Sequence, residues 1–302
     1  MTAAWGSPDT FRALLLAIRE ACTPSQLPRQ RASINLLEDP RYADLFHQEG
    51  VPTGPMLPLF HFNALAMSRL LPPGGTLVDV GAVSGHHLSY LARGRPDIRI
   101  IGLERCDALV RVGRRTLEEE GLSPRVALQV SRMTQFSRDL PERVDAISSV
   151  LMFHRLPTID EAARYVEELS RVRARTGCAV WIVDLVRPRH PRTAEAAARR
   201  LLPAASAMFQ QDTRDAFRSA WSFTELCPLL DGAFPERVRH VCSSGVKLLQ
   251  VHWLEGARGA AADTQPRWDG APLPAWAARP VATLRRALRS VPLCGEAIKS
   301  ST

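Results

Sequence analysis

The stretch Thr76-Leu-Val-Asp79-Val-Gly81-Ala-Val-Ser84-Gly85-His86-His87-Leu88, followed by Ile98-Arg-Ile-Ile-Gly-Leu-Glu104, constrains the fold more than any other part of the chain. Leu77, Val78 and Val80 are apolar and β-prone, as in a strand buried on both faces. Gly81 and Gly85 permit a sharp turn and a close approach of backbone to a ligand. From His86 to Arg93 the spacing is helical, with Leu88 and Leu91 three apart. Ile98 to Glu104 then reads as a second strand that ends in an acid. Strand, glycine turn, helix and strand make a βαβ unit, so the expected architecture is a doubly wound α/β sheet.

In such a sheet ligands sit outside the carboxyl ends of the strands. Glu104 follows Gly85 by about 20 positions, where an acid can accept hydrogen bonds from both hydroxyls of an adenosine ribose. The unit therefore reads as a nucleoside-cofactor site. It does not fit a dinucleotide, whose fingerprint has glycines where this chain has Val83 and His86. Asp79 suits a ligand with a cationic amino acid moiety and would repel a pyrophosphate.

On these residues the chain resembles the class I S-adenosylmethionine (SAM)-dependent methyltransferases. Their first motif is an acid-x-Gly-x-Gly-x-Gly turn and their second an acid ending strand two. The resemblance covers roughly residues 40–255, and Val83 departs from it by replacing the central glycine. It implies a seven-stranded, mostly parallel sheet with an antiparallel last strand and a helical N-terminal cap. It implies SAM as methyl donor and S-adenosylhomocysteine as its product. Asp79 would hold the methionine amino group, Gly81 and Gly85 would give backbone access, and Glu104 would bind the ribose. Family members often place an acid after strand three. Here Ser131 and Met133 would border the adenine instead.

Along the chain, residues 1–75 read as the helical cap. Asp9 starts a helix to about Ala21, Asp39-Pro40 starts another, and Leu59 to Leu71 is a third, ended by Pro72-Pro73-Gly74-Gly75. Residues 76–256 form the cofactor-binding domain. Its further strands are expected at Val126–Val130, Val144–Leu151 and Ala179–Leu185, with helices at Asp107–Glu120 and Asp160–Arg173. A lid insertion is expected near 190–222, then a helix Glu225–Leu230 and a closing hairpin of Arg237–Ser244 with Val246–Leu254. Beyond Gly256 the sequence turns to Ala, Gly, Pro and Arg. It reads as a linker over 257–275 and a tail helix over Val281–Val291, so 257–302 is set apart.

Met152-Phe-His154-Arg155-Leu-Pro157 resembles the family's loop after strand four. His154 is the general-base candidate, able to take a proton at neutral pH. Tyr42, Phe46 and His61 of the cap are candidate acceptor-pocket walls. Arg155 and Arg187 are candidates to receive an anionic acceptor bidentately. Because SAM is already activated, a carboxylate acceptor needs no base whereas an alcohol or phenol does. The expected reaction is O- or N-methylation of a small molecule, with a methyl ester as one product class.

The chain of 302 residues carries a net charge of +8, and Lys247 and Lys299 are its lysines. The basic residues form no dense run interleaved with aromatics, so nucleic acid is not an expected partner, and the charge favours anionic small substrates. No apolar run is long enough to span a bilayer and no signal-peptide pattern is evident, which reads as cytoplasmic. Six scattered cysteines without a C-x-x-C pair suggest neither a disulfide framework nor zinc. Trp5 and the first helix offer either a homodimer interface or a packing surface on the same chain. Two other readings compete: an RNA or protein methyltransferase, and a non-catalytic scaffold that kept the fold and lost the site.

Overall fold

The structure, a computed structural model, describes residues 8–31, 40–201, 205–257 and 268–294. Trp5 and Asp39 lie outside them, as does the side chain of Asp9. Strands β1 (Thr76–Val80), β2 (Arg99–Glu104), β3 (Val126–Val130), β4 (Ala146–Val150), β5 (Ala179–Leu185), β6 (Arg239–Cys242) and β7 (Leu249–Leu254) form one sheet. Its order is β3-β2-β1-β4-β5-β7-β6. The first five strands pair in parallel, while β7 runs antiparallel to both β5 and β6. The order reverses between β1 and β4, and that switch point opens the crevice where such sheets bind ligands.

Both faces of the sheet are covered, which is why its strands read as continuous apolar runs. Leu77, Ile100, Val126 and Trp181 point to one face. There they meet α3 (Leu57–Leu70), α4 (His86–Gly94), α5 (Asp107–Glu119) and α10 (Ala275–Ala287). Val78, Leu103, Ile147 and Ile182 point to the other, under α6 (Ile159–Thr176) and α9 (Phe223–Ala233). The helix ends follow local chemistry. Thr158 caps α6 by accepting the Glu161 N–H, and Gly177 ends it in a left-handed conformation. Ser222 and Glu225 form a capping box that starts α9 two residues before the expected Glu225.

The cap comprises α1 (Pro8–Cys22), α2 (Pro40–Glu49) and α3, and the insertion after β5 forms α7 (Pro191–Leu201) and α8 (Ala207–Ser219). Two expectations need correction. The closing hairpin is shorter than its apolar pattern, because the Ser243 hydroxyl takes the N–H groups of Leu248 and Leu249 and diverts residues 243–248 into a loop. Residues 268–294 pack back onto α3 and α4. Trp268 stacks on Tyr90 at 5.3 Å and sits edge-on to His61 at 5.7 Å. A side chain on Gly94 would overlap that indole, and the Asp269 N–H donates to the Gly94 carbonyl. Helix α10 begins at Ala275, earlier than expected, and packs on α3.

Candidate functional site

The turn after β1 is shaped by three residues with positive φ: Gly81 at 92°, Val83 at 54° and Gly85 at 78°. Glycine adopts these angles freely, whereas a β-branched valine there is strained by about 1–3 kcal/mol. Val83 holds because its N–H donates to Glu104 at 2.9 Å and its side chain packs beside Ala43, Cys106 and Leu109. The Glu104 carboxylate also accepts the N–H groups of Arg105 and Cys106. It is only 4% exposed. Burial raises its pKa despite those three donors. Ser131 lies alongside, its N–H bonded to the Glu104 carbonyl, and Met133 is buried in a cluster with Val80, Leu103 and Met152. Leu151, the residue after β4, also has positive φ (57°), so non-glycine strain flanks the switch point on both sides.

Asp79 is fully buried. Its oxygens are engaged by the Ser148 hydroxyl and by His87 Nε2 at 3.0 Å. It is therefore not a free carboxylate at the mouth, and its nearer oxygen faces His87, on the first turn of α4. The neighbouring His86 stacks on His47 of α2 at 4.2 Å and bonds its carbonyl. Burial and then the His47 ring lower the His86 pKa to about 4.

On the β4 side, His154 lies in a 3₁₀ turn, Phe153–Arg155. Its Nδ1 is 2.9 Å from Asp184, the penultimate residue of β5, and its backbone N–H donates to the same carboxylate. A carboxylate only accepts hydrogen bonds, so Nδ1 carries the proton and Nε2 the lone pair. Among the described residues no protein group occupies Nε2. Trp221 fixes this turn by donating its indole N–H to the Phe153 carbonyl.

Two arginines expected to greet an anion are already neutralised. Arg155 makes a bidentate pair with Asp212 of α8, at 2.9 and 2.6 Å. Burial works against the Asp212 charge, but Arg155 outweighs it and holds the carboxyl below its usual range. Arg187 is spent on Glu225 and on the carbonyls of Leu27 and Ala220. His61 is also elsewhere: its Nδ1 meets the Tyr90 hydroxyl at 2.9 Å within the Trp268 cluster, away from the turn after β1. Tyr42 and Phe46 do share one region. Phe46 packs on Phe209 of α8 at 5.0 Å and on Tyr42 at 5.9 Å. The Tyr42 hydroxyl is buried beside Asp212 without a hydrogen bond of normal length, and burial with that charge drives its pKa up.

Several residues of this region escape sequence reasoning. Arg29 stacks over Trp221 at 3.7 Å and donates to the carbonyls of Leu156 and Pro157, so the segment before α2 straps the His154 loop. Burial and Arg187 lower its pKa to about 10. The partners of Asp184 and Asp212 are equally silent in sequence, because only folding shows which group an acid meets. Cys227, His240 and His252, set far apart by spacing, also converge, at the other end of the sheet.

Residues 77–177 match a family model described as a methyltransferase domain. No curated protein matches the chain. Among solved structures, the plantazolicin methyltransferase BpumL in complex with S-adenosylhomocysteine is 13% identical, with 82% of this chain and 98% of that one covered and a TM-score of 0.55. The related methyltransferase BamL, with a triazolic desmethylplantazolicin analogue and S-adenosylhomocysteine, gives the same identity and coverage and a TM-score of 0.54. A SAM-dependent methyltransferase from Aquifex aeolicus is 19% identical, with 71% and 97% covered and a TM-score of 0.50. These likenesses are of fold. Among the described residues no helix is long and apolar enough to cross a membrane.

Proposed function

We propose that the chain, whose residues 77–177 match a methyltransferase-domain model, is a class I, SAM-dependent methyltransferase that methylates a hydroxyl of a small-molecule acceptor held between the cap and α8. The observation that carries this reading is the Asp184–His154 pair. Asp184 fixes the proton on Nδ1 and leaves Nε2 as the base. A carboxylate acceptor would need no base and would want a free cation, yet Arg155 and Arg187 are each committed to an acid. The structure thus favours an alcohol or phenol over the expected methyl ester.

The residues around the turn suit the methyl donor. Gly81, Val83 and Gly85 bring backbone to the mouth of the switch point. The N-terminus of α4 offers N–H groups to the carboxylate of the donor's amino acid end. Glu104 would accept from the ribose, most openly at Oε2, which holds one N–H where Oε1 holds two. Ser131 and Met133 border the adenine side. When bound, SAM supplies an electrophilic methyl on a sulfonium. The chain's own work is to orient the acceptor against the Tyr42, Phe46 and Phe209 cluster, exclude water, and receive the hydroxyl proton at His154 Nε2.

The test is calorimetric titration with S-adenosylhomocysteine, paired with methyl transfer to a panel of phenols, alcohols and carboxylic acids. Glu104→Ala should weaken cofactor binding at least tenfold. His154→Gln should leave cofactor affinity intact and lower kcat by about 10²–10⁴ on a hydroxyl acceptor. Transfer to carboxylic acids alone, unaffected by His154→Gln, would overturn the hydroxyl reading.

A further inference from the structure

The clustered histidines at the sheet edge present an electrostatic problem that one kind of ligand solves. His240 and His252 are register partners across β6 and β7, and Cys227 faces them from α9. One donor atom from each residue lies within 4.8 Å of the other two. The two Nδ1 atoms are 2.6 Å apart.

The other ring nitrogens already have fixed partners. His240 Nε2 is 3.0 Å from the Asp231 carboxylate, which only accepts, so Nε2 carries the proton. His252 Nε2 is 3.2 Å from Gln250 Oε1. The Gln250 amide cannot turn over, because its Nε2 donates to the carbonyls of Leu185 and Trp221 at 2.9 Å each. His252 Nε2 therefore carries its proton too. In their neutral forms the two imidazoles turn their Nδ1 lone pairs on each other, and the Cys227 sulfur lies within 4.8 Å of a ring nitrogen of each. Something positive belongs there, either a proton making an imidazolium or a metal ion.

We propose that Cys227, His240 and His252 form a three-ligand site for Zn(II). Two imidazoles and a thiolate are a donor set that suits this borderline ion. Asp231 and Gln250 provide what a metal-binding histidine needs from its surroundings, an acceptor on the far nitrogen that fixes tautomer and ring orientation. Tetrahedral Zn(II) places its donors about 3.3–3.6 Å apart. The two rings must part by under about 1 Å, and the cysteine must close by little more. The thiol proton leaves to solvent on binding. A water would complete the tetrahedron from the side of His240, which lines a cleft together with Asp231, Arg237 and Arg239. The ion would pin α9 to the outer strands. Through Gln250 and the Trp221 carbonyl it would stiffen the segment that holds the His154 turn.

The test uses the full chain, stripped of metal and titrated with Co(II) under absorbance. The expected result is a thiolate-to-Co(II) charge-transfer band with visible bands of tetrahedral intensity, saturating at one ion per chain and abolished by one equivalent of Zn(II). Cys227→Ser should remove the charge-transfer band, while Cys242→Ser, two residues beyond His240 on β6, should keep it. Asp231→Asn retains all three donors and should weaken binding about 10–100-fold. Zn(II) should raise the Tm of the wild type and of Cys242→Ser. Absence of a saturable thiolate band in the wild type, or its loss in Cys242→Ser but not in Cys227→Ser, would overturn the proposal and leave a proton shared between the imidazoles. The readout is independent of methyl transfer, so its failure leaves the hydroxyl reading untouched.

Discussion

The two sides of the crevice at the strand ends are built by different means. On the β1–β2 side the shape is made by backbone: positive φ at Gly81, Val83 and Gly85, and N–H groups gathered on Glu104. On the β4–β5 side it is made by side chains from distant segments: Arg29 before α2, His154 after β4, Asp184 on β5, Asp212 on α8. A backbone-built site tolerates little change at a few glycines. A side-chain-built one depends on each buried charge keeping its partner. The first suits a ligand common to a family, and the second suits one that varies from member to member.

The sharpest way to break this contrast is Asp212→Ala, which leaves the buried Arg155 guanidinium without a partner. Stability should fall by about 3–5 kcal/mol in urea unfolding. A drop below about 1 kcal/mol would mean that water or Tyr42 takes over the charge, and that the β4–β5 side is more forgiving than its geometry. Next comes the junction of the cap with α4, where His86 titrates at about 4 when folded, against an ordinary histidine value of 6.5. The unfolded chain binds more protons between those values, so this contribution to stability is present above pH 6.5 and is lost as pH falls towards 4. The loss is up to about 3 kcal/mol. His86→Gln should flatten that part of the pH profile, and an unchanged slope would assign it to other groups. Smallest is Gly85→Ala, which forces a side chain to φ 78° and against Leu128 at 3.1 Å. It should cost about 1–2 kcal/mol in a thermal melt and weaken binding of S-adenosylhomocysteine more than Asp212→Ala does.

The same contrast explains what was legible in the sequence. The β1–β2 side is one contiguous stretch, and its glycines, Glu104 and flanking apolar strands announce themselves by local rules. The sheet is legible for the same reason, since Leu77 to Val80 and Ala179 to Leu185 each carry their burial in their own composition. Arg155 and Arg187 could be placed at the crevice, but their neutralisation could not be read, because it rests on Asp212 and Glu225 arriving from distant helices. His154 was visible as a candidate, whereas the Asp184 that orients it was not. Cys227, His240 and His252 have no metal-like spacing, and only the β6–β7 register and α9 bring them together. Trp268 was hidden in an Ala- and Pro-rich stretch that looks unstructured by composition.

That tryptophan changes where the protein can be cut. A fragment chosen from the matched domain, or ended at Gly256 where the composition shifts, would lose an indole that fills the space over Gly94 and would bare Tyr90 and His61 on α4 and α3. Since α4 also carries His86 and His87 at its other end, such a fragment would loosen that helix from behind. Trimming this chain for crystallisation or fusion should therefore respect a return path: the last described residues complete the wall that the first helices began.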